Sequence, residues 1–339
     1  MTSIPQARIH GVDDLRLDSI APPQCGDDDV VVEVRQCGIC GTDLGYLAMG
    51  GITAPDVPMP IGHELWGVVS AAGANVSHVA PGDAVVVQPM SNGVNIGNGG
   101  LEGGFTPQLL VRDAALDPGS TLRLPPDIPL EWGALVEPLA VAQHGANRVG
   151  AAAEDKAVIY GAGPIGLCMV QVLSHRGLGD IAVVDLSDKR LEVAAQLGAT
   201  ALRGDDPQLA DRLIELHGAR SFFGMPLPAS DIYFEATGVR AVFEGIVNMA
   251  GPQSRICLSG VHKEPASVDL VSLLAKEVSV IPAMGYDGEF DEVFAILRSG
   301  DVDPTVIVTH HFPLSDIQAA FAAARDTASA IKVMIDCQL

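Results

Sequence analysis

Four side chains in the first 140 residues could carry chemistry together: a thiol, an imidazole, and two carboxylates. Cys37-Gly38-Ile39-Cys40 is a Cys-x-x-Cys, but no second such pair follows it. A four-cysteine structural zinc is therefore excluded, and a thioredoxin-like redox pair does not suit the β-type runs around it. Gly62-His63-Glu64 stands 23 positions after Cys40, and Glu137 lies in Leu135-Val136-Glu137-Pro138. Thiolate, imidazole and carboxylate are ligand types that zinc accepts, and three protein ligands with one open position make a catalytic site. Separations this wide require a fold to gather them. Taken singly, Cys40 reads equally as a small buried hydrophobe, His63 as a core or surface group, and Glu137 as the acid that opens a helix.

A second constellation follows. Val158-Ile159-Tyr160-Gly161-Ala162-Gly163-Pro164-Ile165-Gly166 is a strand running into Gly-x-Gly-x-x-Gly. Gly161 allows the tight turn, Gly163 lets a pyrophosphate approach the backbone, and Gly166 permits close helix packing. Pro164 and Ile165 open a helix whose free N–H groups and positive end suit phosphate. Asp185 closes the next strand, 24 positions after Gly161, near the spacing of an acid that binds ribose hydroxyls. A carboxylate there repels a 2′-phosphate, so NAD is favoured over NADP. Lys189 and Arg190 weaken that preference without reversing it, and read equally as an exposed helix face.

These residues need two kinds of scaffold. From residue 8 to about 145, short β-type runs (30–35, 67–71, 83–87) are broken by Gly, Pro and Asp, with Pro81-Gly82-Asp83 as a turn. Ser91 to Gly100 reads as a flexible Asn/Gly loop. Beyond residue 150, strands at 157–160, 181–185, 231–236, 255–259 and 278–281 alternate with helices such as 165–176 and 187–197. That alternation predicts a parallel sheet covered on both faces. A helix at 289–298 and a strand at 330–336 end the chain, and His310 and His311 read as ordinary loop residues.

Composition sets the outer bounds. The 339 residues are 48% hydrophobic and 18% charged, enough for two cores. A formal charge of −22 and 4% aromatics exclude the basic, base-stacking surface that nucleic acid needs, and disfavour anionic lipid. No apolar run of membrane-spanning length occurs, and Met1 to His10 lacks a signal-peptide pattern. Six scattered cysteines fit reduced thiols, so a cytoplasmic location is the expectation.

With both constellations in view, the chain resembles the zinc-containing medium-chain alcohol dehydrogenase family. The likeness rests on Cys40-Gly41-Thr42-Asp43, Gly62-His63-Glu64, Pro81-Gly82-Asp83, Gly103-Gly104-Phe105, Leu135-Val136-Glu137-Pro138, Gly161 to Gly166 and Phe234-Glu235-Ala236-Thr237-Gly238. Glu137 stands where other members place a second zinc cysteine, which is similar to the polyol branch of sorbitol, threonine and 2,3-butanediol dehydrogenases. Lys276-Glu277-Val278 and Gly285-Tyr286-Asp287-Gly288-Glu289-Phe290 resemble the butanediol enzymes in particular.

The resemblance implies an α/β chain: a β-rich GroES-like catalytic domain at 1–148, completed by 286–339, and a doubly wound Rossmann domain for NAD at 149–285. It implies zinc on Cys40 and His63, with Glu64 and Glu137 sharing the remaining protein position or holding its water. Thr237 joins the cofactor residues. Tyr46, Trp66, Phe105 and Tyr286 become substrate-pocket candidates by family position. The implied reaction is hydride transfer between a small secondary alcohol, or its ketone, and nicotinamide, with zinc as Lewis acid and Thr42 passing the alcohol proton. A homodimer or homotetramer is implied as well.

Three departures stand out. The interval that holds four structural-zinc cysteines in relatives, here Gln88 to Glu102, has none, so one zinc per chain is predicted. Gly45 occupies the place of a proton-relay histidine, and Gly285 the place where the branch often has an arginine that binds hydroxyls. The competing readings are a zinc-free quinone reductase of the same fold and a cofactor-binding protein without turnover.

Overall fold

The structure is a computed structural model that describes residues 3–54 and 56–339. Met1 and Thr2, where the Met1–His10 reading begins, lie outside the described residues, as do Pro55 and the Asn92 side chain. The chain forms two compact units, Met1–Glu137 with Val308–Leu339, and Pro138–Ile307.

The first unit is built on the valine-rich strand Val30–Gly38, whose Val30, Val31, Val32 and Val34 are all buried. β-Branched residues in a run covered on both faces suit a central strand. It pairs antiparallel with Glu64–Ala72, Gln108–Val111 and Lys332–Asp336 in a seven-stranded sheet completed by Val308–Pro313, Ala84–Val87 and Thr121–Arg123. Asp14–Ile20, Ile4–Gly11 and Met59–Pro60 make a smaller sheet. Register decides what meets what: Gly38 pairs with Glu64 on one side and Met334 on the other. A Cβ on Gly38 would collide with the Glu64 carboxylate and with Lys332 Cε, so glycine leaves room for both.

The second unit holds six parallel strands in the order Thr200–Arg203, Ile181–Asp185, Ala157–Tyr160, Ile232–Glu235, Arg255–Leu258, Ser279–Pro282. Numbered along the chain this is 3-2-1-4-5-6, the doubly wound dinucleotide order. Val158, Tyr160, Val184, Tyr233 and Ile256 pack with Leu213, Phe243, Ile246 and Val247 from helices Leu209–His217 and Arg240–Met249. Helix Pro164–His175 covers the other face, where Gly166 faces the Ile159 side chain.

The unit boundaries differ from the sequence-based division at 148/149 and 285/286. Helix Val136–Arg148 goes with the second unit from Pro138 onward, because Gly145 packs on Met169 and Cys257. Residues 286–307 go with it too. Glu289 accepts from His144 Nδ1 at 2.7 Å, and Glu292 from Asn147 at 3.0 Å, while Phe290, Val293, Phe294 and Leu297 are buried.

Two readings are corrected. The stretch Ser91 to Gly100 is packed rather than flexible: Ile96 is buried, and Asn98 bridges to Ile61. His310 and His311 lie in the strand Val308–Pro313, which runs parallel to Lys332–Asp336, and not in a loop.

Two glycines test this packing with opposite signs. Gly97 has φ +66°, and a Cβ there would run into the Gly62 carbonyl, so Gly97→Ala should cost about 2–4 kcal/mol in urea unfolding. Gly245 is an exposed position within helix Arg240–Met249 with no atom near a new Cβ, so Gly245→Ala should add about 0.5–1 kcal/mol.

Candidate metal centre and cofactor cradle

Cys40 caps the helix Gly41–Met49, with its sulfur accepting from Thr42 N at 3.4 Å. This sets the sulfur at the positive end of the helix. Asp43, fully buried in the first turn, accepts from Cys40 N at 2.9 Å and from Gly62 N at 3.2 Å. It thereby ties the cysteine turn to the segment that carries His63 and Glu64. Donor atoms of Cys40, His63 and Glu64 all lie within 4.8 Å of one another.

Asp43 Oδ1 also approaches His63 Nδ1 at 3.5 Å, the arrangement by which a carboxylate orients a ligating imidazole. Burial opposes charge on His63, but the neighbouring Asp43 and Cys40 outweigh it and raise its proton affinity well above the ordinary imidazole range. Glu137, at the start of Val136–Arg148, is buried beside them. Desolvation pushes its carboxyl up to about 7, opposed by His63 and Lys332 and reinforced by Glu64.

Behind this cluster stands Lys332, fully buried, donating to the Glu64 carboxylate and to Ile39 O at 3.0 Å. Burial disfavours its charge, yet Glu64, Cys40 and Glu137 keep the ammonium more basic than usual. A half-buried cysteine with a buried imidazole and carboxylate so close to its sulfur fits a zinc ion by donor type and spacing.

In the second unit the glycine turn forms a cradle. Gly161 has φ +100°, a Cβ on it would stand 3.0 Å from Thr237 Cγ2, and a Cβ on Gly166 would strike the Gly161 carbonyl. Helix Pro164–His175 begins at Gly163 with no side-chain cap, so its first N–H groups are left for a ligand. Asp185 accepts from Ala162 N at 2.7 Å and Ser187 N at 2.8 Å. Arg190 lies near Gly163, and its charge, weakened by burial, is supported by Asp185. The cradle fits a dinucleotide.

Comparison with known proteins agrees. Residues 26–116 match the alcohol dehydrogenase GroES-like domain, and residues 164–299 the zinc-binding dehydrogenase domain. The chain is 30% identical to sorbitol dehydrogenase of Bos taurus, over 97% of this chain and 95% of that one. It is likewise 30% identical to (R,R)-butanediol dehydrogenase of Bacillus subtilis, over 97% of this chain and 98% of the relative. The crystal structure of 2R,3R-butanediol dehydrogenase from Bacillus subtilis superposes with a TM-score of 0.87 at 28% identity, covering 98% and 99% of the two chains. This chain belongs to the zinc-containing medium-chain alcohol dehydrogenases, in their polyol branch. Its chemistry is oxidoreduction at a CH–OH group with zinc and a nicotinamide cofactor.

In this alcohol dehydrogenase the pocket candidates separate. Tyr46, on the cysteine helix, feels His63, Asp43 and Cys40 electrostatically, and burial raises its phenol above the usual range. Its hydroxyl donates to Asn98 Oδ1 at 3.4 Å. Thr42 is half-buried beside Cys40. Phe105, by contrast, is a core residue: fully buried, it packs edge-on against Phe321 with centroids 5.9 Å apart. Trp66 donates from Nε1 to Gln36 at 3.3 Å and lines a separate hollow with Arg35, Leu130 and Asp336, away from the four candidate ligands. Tyr286 belongs to the second unit, where its ring packs edge-on against Phe290 at 5.0 Å.

The sequence reading missed Asp43, Asn98 and Lys332. The lysine left a signal, because a charged residue inside the apolar run Ala330-Ile331-Lys332-Val333-Met334-Ile335 must find a buried partner. Removing it strands that partner, so Lys332→Met should destabilise the protein by about 3–5 kcal/mol. Adding Glu64→Gln should recover part of that loss in a double-mutant cycle of urea unfolding. Additive losses would show that the pair is not coupled.

Proposed function

We propose that this enzyme holds one zinc per chain through Cys40, His63 and Glu64, with Glu137 beside the open position, and uses NAD to oxidise a small secondary alcohol or vicinal diol. The observation that carries this reading is the cluster of sulfur, imidazole and carboxylate within 4.8 Å, with a lysine on the carboxylate. Bound there, zinc supplies a Lewis acid that polarises the alcohol or carbonyl oxygen.

The chain's own residues do the rest. Asp43 fixes the imidazole and the cysteine turn, and Thr42 hydrogen-bonds the substrate oxygen and passes its proton outward. Gly45 offers no relay, so that proton leaves by water, a ribose hydroxyl or Tyr46. Gly161, Gly163, Pro164, Ile165 and Gly166 receive the pyrophosphate, and Asp185 takes the ribose hydroxyls. Asp185 lies near enough to support the Arg190 charge, which burial weakens, and this favours NAD.

Relatives named for sorbitol and butanediol support a polyol or diol substrate. Gly285, at φ +64°, lacks the side chain that would hold extra hydroxyls, and an arginine would be strained in that conformation. This favours the shorter diols.

The apolar surface around helix Leu270–Lys276 and strand Ser279–Pro282 supports a homodimer or homotetramer. Leu270, Val271, Leu274 and Met284 are exposed there, beside the edge of the six-stranded sheet. Six free cysteines and the lack, among the described residues, of any helix long and apolar enough to cross a membrane fit a cytoplasmic place.

The test joins metal analysis to NADH formation over a panel of secondary alcohols and vicinal diols. About one zinc per chain should be found, chelation should abolish turnover, and zinc should restore it. Cys40→Ser and His63→Ala should lose the metal, and NAD should outperform NADP by roughly tenfold or more in kcat/KM. Turnover that persists in zinc-free protein would overturn the reading.

A further inference from the structure

At the same edge of the six-stranded sheet as the glycine turn lies a buried network with no role so far. Glu235 ends the strand Ile232–Glu235 and is fully buried. Its Oε1 accepts from Thr237 N at 2.8 Å, from Gly238 N at 3.1 Å and from the Thr237 hydroxyl. Its Oε2 takes His262 Nε2 at 2.8 Å. A buried carboxylate survives only when its lone pairs are met in this way, and an apolar side chain would fill the space at less cost. The carboxylate therefore points to a task other than filling space.

What it ties together is specific. Thr237 and Gly238 open the loop after the fourth strand, and His262 lies in the loop after the fifth, Arg255–Leu258. These strands follow the glycine-turn strand in sheet order, and ligands of such sheets bind at the carboxyl ends of the strands. The loops meet backbone to backbone: a Cβ on Gly238 would stand 2.5 Å from Val261 O, and one on Gly260 2.5 Å from Glu235 Oε2. At the other end, Thr237 Cγ2 lies 3.0 Å from the place of a Cβ on Gly161. His262 is set edge-on to Phe243 with centroids 5.9 Å apart, and its Nδ1 is buried without a hydrogen-bond partner among the described residues. Contacts thus run unbroken from His262 through Glu235 and Thr237 to the first glycine of the cradle.

We propose that Glu235 and His262 are positioning residues for the nicotinamide cofactor, holding the two loops beside the glycine turn through Thr237. This rests on the cofactor reading above. Neither side chain takes part in proton or hydride transfer, so their removal weakens cofactor binding and leaves the chemical step intact.

The experiment is fluorescence titration of the zinc-loaded enzyme with NADH, alongside kcat at saturating cofactor and substrate. In His262→Ala, Kd and the KM for NAD should rise about tenfold, as for loss of a hydrogen bond to a charged group, with kcat within about twofold. His262→Gln keeps an amide donor for the carboxylate and should return to within about threefold of wild type. Glu235→Gln, which turns an N–H toward the existing donors, should weaken binding as His262→Ala does, and stands in for it if that variant does not fold. Ile246→Val loosens the neighbouring core without touching the network. If it raises Kd as much as His262→Ala does at an equal loss of Tm, the pair is merely structural and the proposal fails. An unchanged Kd in His262→Ala also overturns it, whereas wild-type enzyme that binds no NADH sinks the cofactor reading as well.

Discussion

The β-rich unit depends on one electrostatic constraint: several groups that carry or can carry negative charge must share a dry space. Cys40, Asp43, Glu64 and Glu137 crowd around His63, and desolvation pushes the Glu137 carboxyl up to about 7. Within the protein Lys332 answers Glu64, buried against it across 268 positions of sequence. A divalent ion at the cluster would supply the rest. Desolvating the lysine and the glutamate is expensive, and their mutual attraction offsets that only because the ammonium also bonds a carbonyl. The fold reflects this need. After the cofactor unit the chain returns and adds Lys332–Asp336 beside Val30–Gly38, which delivers the lysine to the glutamate.

Legibility in the sequence follows from how local each cause is. The glycine turn was readable because its reasons are local: φ +100° at Gly161 and tight helix packing at Gly166 demand glycine whatever the rest of the chain does. Cys40, His63 and Glu64 were readable as ligand types, though only a fold could show that they meet. Spacing did not separate the two acids; in the structure Glu64 shares the 4.8 Å cluster with the thiol and imidazole, and Glu137 is its buried neighbour. Phe105 and Trp66 have partners that family position did not reveal: Phe105 packs against Phe321, and Trp66 bonds Gln36. An aromatic ring is as valuable in a core as in a pocket, and only its neighbours distinguish the two. Lys332 showed only as a charge in an apolar run, and Glu235 and His262 did not show as a pair, because each one's partner lies in a distant part of the sequence.

The interval between Gln88 and Glu102, which has no cysteine, shows how turns can close a loop on itself. In a metal-bound lobe, ligand bonds supply the free energy that orders the chain. Here the order comes from the backbone. Ile96 N donates to Pro89 O at 2.9 Å, Gly97 N to Glu102 O at 2.8 Å, and Gly100 N to Asn95 O at 2.9 Å, so the segment closes on itself. Asn95, Gly97 and Gly99 all take positive φ, which lets those turns follow one another in so short a span. Ile96 buries an apolar anchor, and Arg112 meets Glu102 at 2.7 Å where the segment ends. Each of these bonds is worth little alone, about 1 kcal/mol, but together they hold Asn98 in a bridge to Ile61, two residues before His63. From there its side chain meets the Tyr46 hydroxyl. The loop therefore reaches both the segment that carries His63 and the helix that carries Cys40 through one asparagine, and glycine placement lets its turns form.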